Sequence, residues 1–254
     1  MRLRASWLAV LLWLPSLLNL PQGAAPALPL KVLPIDDSAV AITFDACATL
    51  TQGYGFDRAV FDTLKREQVP ATIFVSGRWV EAHTDVMREL AAEPLIEFGD
   101  HSYDHPHMAA IPLQQAALEV DGTEAALARF GKKGVAFRPP YGEWNRPVLE
   151  MLSAKHLPIV LWDVVSGDPS LGTTAAGIVR TVLAKTRPGS IIIFHINGRG
   201  WKTAEAFPKV VRGLRGRGFR FVHLSELLAA HAAAGGLPPP SPDGDAFDPS
   251  VPAR

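Results

Sequence analysis

The sequence predicts an α/β fold in which about seven parallel strands, joined by crossover helices, wrap into a (β/α) barrel, incomplete or distorted. Two observations predict it. Apolar runs of strand length recur at 39–44, 71–75, 95–98, 135–137, 158–162, 190–195 and 219–224, and helix-patterned stretches lie between them at 57–68, 78–92, 112–130, 146–155, 175–185 and 203–217. Alternation of this kind is what parallel strands with helical crossovers produce. The punctuation agrees: Pro112 and Pro147 stand where a helix starts, and Gly218 where one ends. Periodicity alone does not separate a closed barrel from an open doubly wound sheet, which is the alternative.

The elements follow in order. Arg2 and Arg4 precede an apolar run from Ala5 to Leu20, and Ala25-Pro26-Ala27 has the A-x-A form of a cleavage site. Pro15 and Asn19 interrupt that run, and a membrane span needs roughly 20 apolar residues. The expectation for 1–27 is therefore a secretory signal peptide, with an uncleaved membrane anchor as the lesser alternative. The mature protein is expected to be secreted or periplasmic and monomeric. Residues 28–37 are expected to form a linker, 38–232 one domain, and 233–254 a disordered tail, rich in proline from Gly235 onward.

With 254 residues, 48% hydrophobic and 20% charged, the chain is long enough to bury one sizeable core. Its 25 basic and 25 acidic residues balance, which argues against a nucleic-acid partner. The single cysteine, Cys47, excludes an internal disulfide and a four-cysteine zinc site.

In parallel α/β folds the reactive groups gather at the carboxyl ends of the strands. Asp45 follows the first run. His101 and His105 follow the third, four positions apart, a spacing that lets one helical turn present both to one cation, and Pro106 keeps a long helix from continuing. Arg138 follows the fourth run, Asp163 and Asp168 the fifth, and His195 ends the sixth. One isolated buried Asp or His is an ordinary structural group. Five strand ends carrying ionisable side chains on one rim indicate a site.

These residues also sit in motifs. Ile42-Thr43-Phe44-Asp45, His101-Ser102-Tyr103-Asp104-His105-Pro106, Arg138-Pro139-Pro140-Tyr141-Gly142, Trp162 through Asp168 and Ile191-Ile192-Ile193-Phe194-His195 resemble the five ordered motifs of the polysaccharide deacetylase (NodB-homology, carbohydrate esterase family 4) family. The likeness spans about 38–228 and implies a distorted (β/α) barrel that hydrolyses N-acetyl groups of carbohydrates with a divalent metal. It implies Asp45 as general base, Arg138 as its partner, His195 as general acid and an aspartate that steadies His195. Asp168 is preferred to Asp163 for that last role. The backbone N–H of Tyr141 would help hold the oxyanion, and Ile193 would line the acetyl-methyl pocket. Tyr54, Trp144 and Trp201, with the Tyr141 ring, are candidates for stacking on sugar rings.

One departure from the family pattern concerns the metal. Members commonly carry a second aspartate directly after the base, completing an Asp-His-His ligand set, and this chain has Ala46 there. Three accounts are open: Asp45 itself joins His101 and His105, a substitute comes from Cys47 or a carboxylate such as Asp100, or two histidines and water hold the ion weakly. The first and third are preferred, so metal binding is expected to be weaker than with a full triad. Zinc is the first choice, with cobalt, nickel and manganese as the other ions. The expected function is an exported deacetylase of peptidoglycan, chitin or poly-N-acetylglucosamine. The alternatives are a non-catalytic glycan-binding module and an amidase for a small non-carbohydrate amide.

Overall fold

A computed structural model describes residues 28–35, 37–49 and 55–235. The signal segment 1–27, most of the proline-rich tail and Tyr54 lie outside the described residues. Among the described residues no helix is long and apolar enough to cross a membrane.

The centre is β1 (Ala39–Ala46), all eight of whose residues are buried. It pairs in parallel with β2 (Ala71–Val75) and with β5 (Ile191–His195), and β3 (Ile96–Asp100) and the short β4 (Val164–Val165) extend the sheet to the order β3-β2-β1-β5-β4. A last strand, β6 (Arg220–Val222), pairs with the opening residues of β1. Burial on both faces is why β1 reads as a nearly unbroken apolar run. The outer layer consists of α1 (Arg58–Glu67), α2 (Gly77–Ala82), α3 (Thr84–Ala92), α4 (Leu113–Ala128), α5 (Arg146–Ala154), α6 (Ala175–Lys185), α7 (Thr203–Gly216) and α8 (Leu224–Ala233).

The ring closes through two thin places. The Asp100 N–H donates to the Ala136 carbonyl and the Arg138 N–H donates to the Asp100 carbonyl, each at 2.9 Å. Phe137 in turn donates to Pro158 (2.8 Å) and accepts from Val160 (2.9 Å). The fourth and fifth predicted strands are thus isolated bridges, at Phe137 and at Ile159 and Val160, rather than full strands. Pro139 and Pro140 end the first ladder, and Pro158 has no N–H to extend the second. The result is a parallel α/β barrel, distorted where these ladders are thin.

Three further expectations need correction. The 28–37 stretch is not a free linker: Leu30 donates to the Ile159 carbonyl (2.8 Å), Leu33 donates to the Gly189 carbonyl (3.0 Å), and the Leu33 side chain is fully buried. Gly189 is required there, since a Cβ at that position would lie 1.9 Å from the Leu33 carbonyl oxygen. The helix expected over 78–92 breaks at His83. His83 leaves the helical region there (φ −121°, ψ 44°), its ring stacks on Trp79 at 4.6 Å, and both its backbone N–H and its Nδ1 meet the Trp79 carbonyl, at 3.1 and 3.0 Å. Finally, α8 lies beyond the last predicted helix; Leu224 and Leu227, three apart, are buried and pack it on the end of the barrel.

Candidate active site

Register brings the strand ends together. Asp45 is the direct neighbour of His195 across β1 and β5, and Val75 is the neighbour of Asp100, the residue before His101, across β2 and β3. Asp45, His101, His105 and His195 consequently line one cleft of about 210 Å³, with Arg138 buried directly behind it.

Arg138 organises the floor. Its guanidinium is fully buried, donates from Nη1 to Asp45 Oδ1 (2.7 Å), and from Nη2 to Thr43 Oγ1 (2.9 Å) and the Leu161 carbonyl (3.2 Å). Phe74 and Trp162 face the cation at 3.9 and 5.4 Å. Burial pushes the Asp45 carboxyl up, but Arg138, then His101 and His195, outweigh it and hold Asp45 below the usual carboxylate range. Asp45 stays ionised, oriented, and open on its second oxygen, 3.5 Å from His101 Nε2.

The two predicted metal histidines do converge, but not on a helical turn. Ser102 and His105 adopt left-handed backbone, with φ of 62° and 59°, so a loop folds the second imidazole back beside the first. Their ring centroids are 4.9 Å apart. His101 Nδ1 lies 2.7 Å from the Arg138 carbonyl, so it carries the proton and Nε2 keeps its lone pair toward the cleft. His105 is 7% exposed and its Nδ1 meets no hydrogen-bond partner. Burial, then the neighbouring His101, holds the His105 ring pKa down at about 3, so it is neutral and ready to ligate. Among the described residues, Cys47, His101 and His105 offer ligand atoms all within 4.8 Å of one another, and Asp45 does not join that group. The donor chemistry of two buried neutral imidazoles fits a divalent cation.

On the opposite wall His195 Nδ1 meets Asp168 Oδ1 at 2.9 Å, and Asp168 Oδ2 accepts from the His195 backbone N–H and from Thr203 Oγ1, each 2.7 Å. Gly200 permits this packing: a Cβ there would come 2.9 Å from Asp168 Oδ2. Asp163 instead accepts from Ile191 N–H (2.8 Å) and Ser190 Oγ (2.9 Å) at the far, amino end of β5. Asp168 is therefore the residue that fixes His195.

The substrate-side candidates divide. Ile193 lines the cleft. Tyr141 also lines it, half exposed, on left-handed backbone (φ 60°), with its ring edge-on to His105 at 4.7 Å and stacked on His107 at 4.1 Å. Trp201 stands at the rim, 53% exposed, its indole N–H donating to the carbonyl of Pro169, which lines the cleft. Trp144 does not reach the cleft: it packs against the apolar group around Met108, Leu149 and Leu152. Sequence reasoning misses Trp162, Val165, Ser166 and Arg199, which line the cleft, although the first three lie inside a motif already singled out. It also misses Thr203, because only the α7 N-terminus folding back onto Asp168 gives that residue a role.

Asp100, the carboxylate considered as a substitute ligand, is outside the 4.8 Å group. Its Oδ1 accepts from Ser102 N–H (2.8 Å) while Oδ2 has no partner, and burial raises its pKa well above the usual range. A carboxyl raised in the folded state stabilises below the unfolded value and loses that contribution as pH climbs toward the folded one. Asp100→Asn is therefore expected to match wild type in stability near pH 4 and exceed it increasingly up to neutral pH. Its advantage grows by about 1.4 kcal/mol for each pH step of one between the unfolded and folded values. Urea melts of the metal-free protein at both pH values test this, and a constant difference would refute it.

Comparison with known proteins places the chain in a family. Residues 34–160 match the family model described as polysaccharide deacetylase. The chain is 31% identical over 198 residues to a peptidoglycan-N-acetylglucosamine deacetylase of Bacillus cereus, covering 77% of this chain and 70% of that protein. It is 34% identical over 195 residues to the Listeria monocytogenes peptidoglycan-N-acetylglucosamine deacetylase PgdA, covering 74% of this chain but 38% of that longer protein. Among solved structures, a peptidoglycan N-acetylglucosamine deacetylase in complex with a naphthalenyl N-hydroxybenzamide superposes with a TM-score of 0.71 at 30% identity, over 79% of this chain and 92% of that one.

Proposed function

The chain belongs to the polysaccharide deacetylase family and is a hydrolase of that kind, and from this premise we propose that it removes N-acetyl groups from an N-acetylated glycan of the peptidoglycan type, outside the cytoplasm. The observation that carries the reading is the meeting in one cleft of an ionised, Arg-held carboxylate, two buried neutral histidines and a third histidine backed by Asp168.

An acetamide is a weak electrophile with a poor leaving group, so its hydrolysis needs a base for water, charge stabilisation and an acid for the amine. Asp45 is our base: Arg138 occupies Oδ1 and leaves Oδ2 toward the cleft. His101 and His105 are our holders for a divalent cation, zinc by first choice. When bound, that ion supplies Lewis acidity to the amide carbonyl and lowers the pKa of water toward ~7. His195 delivers the proton to the departing amine, its imidazolium form steadied by the Asp168 carboxylate. The Tyr141 N–H, turned by left-handed backbone, is our donor to the oxyanion, and Ile193 shapes the floor for the acetyl methyl. Tyr141 and Trp201 are the ring platforms on the rim. Export rests on the leader-like pattern of 1–27.

Acetate release from N-acetylglucosamine oligomers and from peptidoglycan, with added Zn²⁺ or Co²⁺, tests the reading. His195→Ala is expected to lose roughly 10²–10⁴-fold in turnover with little change in glycan binding. Glycan binding by wild type without acetate release would replace the reading with a binding module. Turnover of a small amide in preference to the glycans would replace it with an amidase.

A further inference from the structure

The deacetylase reading needs a cation on His101 and His105 but leaves open which residue completes the ligand set where the family pattern has a carboxylate. We propose that Cys47 is that ligand, so that this chain holds its metal with one thiolate and two imidazoles. The inference rests on the reading above and narrows it to a particular donor set and metal class.

Strand geometry supplies the first reason. Cys47 directly follows β1 and lines the cleft together with Asp45, whereas Ala46 belongs to the apolar group on the other face. Cys47 lines the cleft, is 1% exposed, and its sulfur lies within 4.8 Å of the ligand atoms of both histidines. The sulfur is also held. Asn197 Nδ2 donates to the Cys47 carbonyl at 2.8 Å and reaches Sγ at 3.4 Å, which fixes the side chain's position in the cleft.

The carboxylates nearby are worse placed to complete the set with both histidines. Asp45 gives one oxygen to Arg138 and does not join the mutual 4.8 Å group. Asp100 gives one oxygen to Ser102 N–H and is also outside that group. The orphaned Nδ1 of the buried His105 is the independent sign that this cluster lacks a binding partner.

The consequence is chemical. As the sulfur–metal bond forms, the thiol proton passes to solvent, so the ligand set carries one negative charge, as an Asp-His-His set does. Three protein ligands and one open position match a catalytic zinc centre. A soft thiolate, however, favours Zn²⁺ and Co²⁺ over Mn²⁺ and Mg²⁺, which prefer oxygen. Tight, sulfur-selective binding then replaces the weak binding expected from the loss of the aspartate.

Spectroscopy of the full chain, stripped with chelator and reloaded with one equivalent of Co²⁺, decides the matter. A thiolate-to-cobalt charge-transfer band in the near ultraviolet is expected in wild type and lost in Cys47→Ser and Cys47→Asp. X-ray absorption of the zinc form is expected to show one sulfur at about 2.3 Å. Cys47→Ala is expected to weaken Zn²⁺ binding by more than the roughly 10- to 100-fold typical of lost outer-shell contacts, and Cys47→Asp to restore most of it. Circular dichroism of each variant separates these losses from misfolding. Stoichiometric metal with no sulfur signal would overturn the Cys47 assignment and leave the deacetylase reading standing. Wild type that takes up no metal yet releases acetate would overturn the assignment and the metal dependence together.

Discussion

Asp45→Asn is expected to cut acetate release from N-acetylglucosamine oligomers by about 10²–10⁴-fold, the range that loss of a general base produces. Asparagine keeps the shape of the carboxylate and still accepts from Arg138, but it cannot take a proton from water. A second effect follows from burial. Arg138 is fully buried and Asp45 is the carboxylate that pairs with it, so neutralising residue 45 leaves a cation without its counter-charge. Breaking a buried ion pair by removing one partner costs about 3–5 kcal/mol, and retention of the hydrogen bond places Asp45→Asn toward the lower end. The measurements are turnover per folded molecule and the urea midpoint. Turnover within tenfold of wild type would remove Asp45 from the role of base.

Arg138→Met is expected to be the most destabilising single change in the site. It leaves the Asp45 carboxylate buried without its cation, and it withdraws donors from Thr43 Oγ1 and the Leu161 carbonyl. The expected loss is about 3–5 kcal/mol, or roughly 6–20 °C in Tm at 2–4 °C per kcal/mol for a chain of this size. Its pH dependence has a definite sign. In wild type the Asp45 pKa is lowered, so its stabilisation is present above the unfolded value and lost as pH falls through the folded one. Without Arg138, burial dominates and raises that pKa, so the deficit of the variant grows between pH 4 and pH 7. The double variant Asp45→Asn/Arg138→Met is expected to lose less than the sum of the two single losses, because no buried charge remains unpaired. A strictly additive result would show that the pair is not coupled.

Much of this is legible in the chain. The apolar runs that form β1, β2, β3 and β5 lie within two residues of their predicted bounds, since strands buried on both faces must be apolar throughout. The predicted strands at 135–137 and 158–162 are apolar as expected but dwindle to isolated bridges, because prolines beside them withdraw backbone donors. That loss of pairing depends on what lies alongside, which a pattern of hydrophobicity does not encode. Trp144 shows the same limit: an aromatic in a loop after a strand reads as a sugar platform, and only packing reveals that it serves the apolar group around Leu149.

By itself, the sequence determined the alternation of elements, the placing of Asp45, His101, Arg138, Asp168 and His195 at or near strand ends, and the absence of an acid at position 46. The tertiary structure decided which of these groups touch. It turned Asp163 into a backbone cap and Asp168 into the partner of His195, replaced the helical turn at His101 and His105 with a left-handed loop, and brought Cys47 rather than Asp45 within mutual reach of the two imidazoles. The physical reason is that chemistry depends on separations of a few ångströms between residues as many as 150 positions apart, as with Cys47 and Asn197, and such distances are set by strand register and loop dihedrals rather than by residue type.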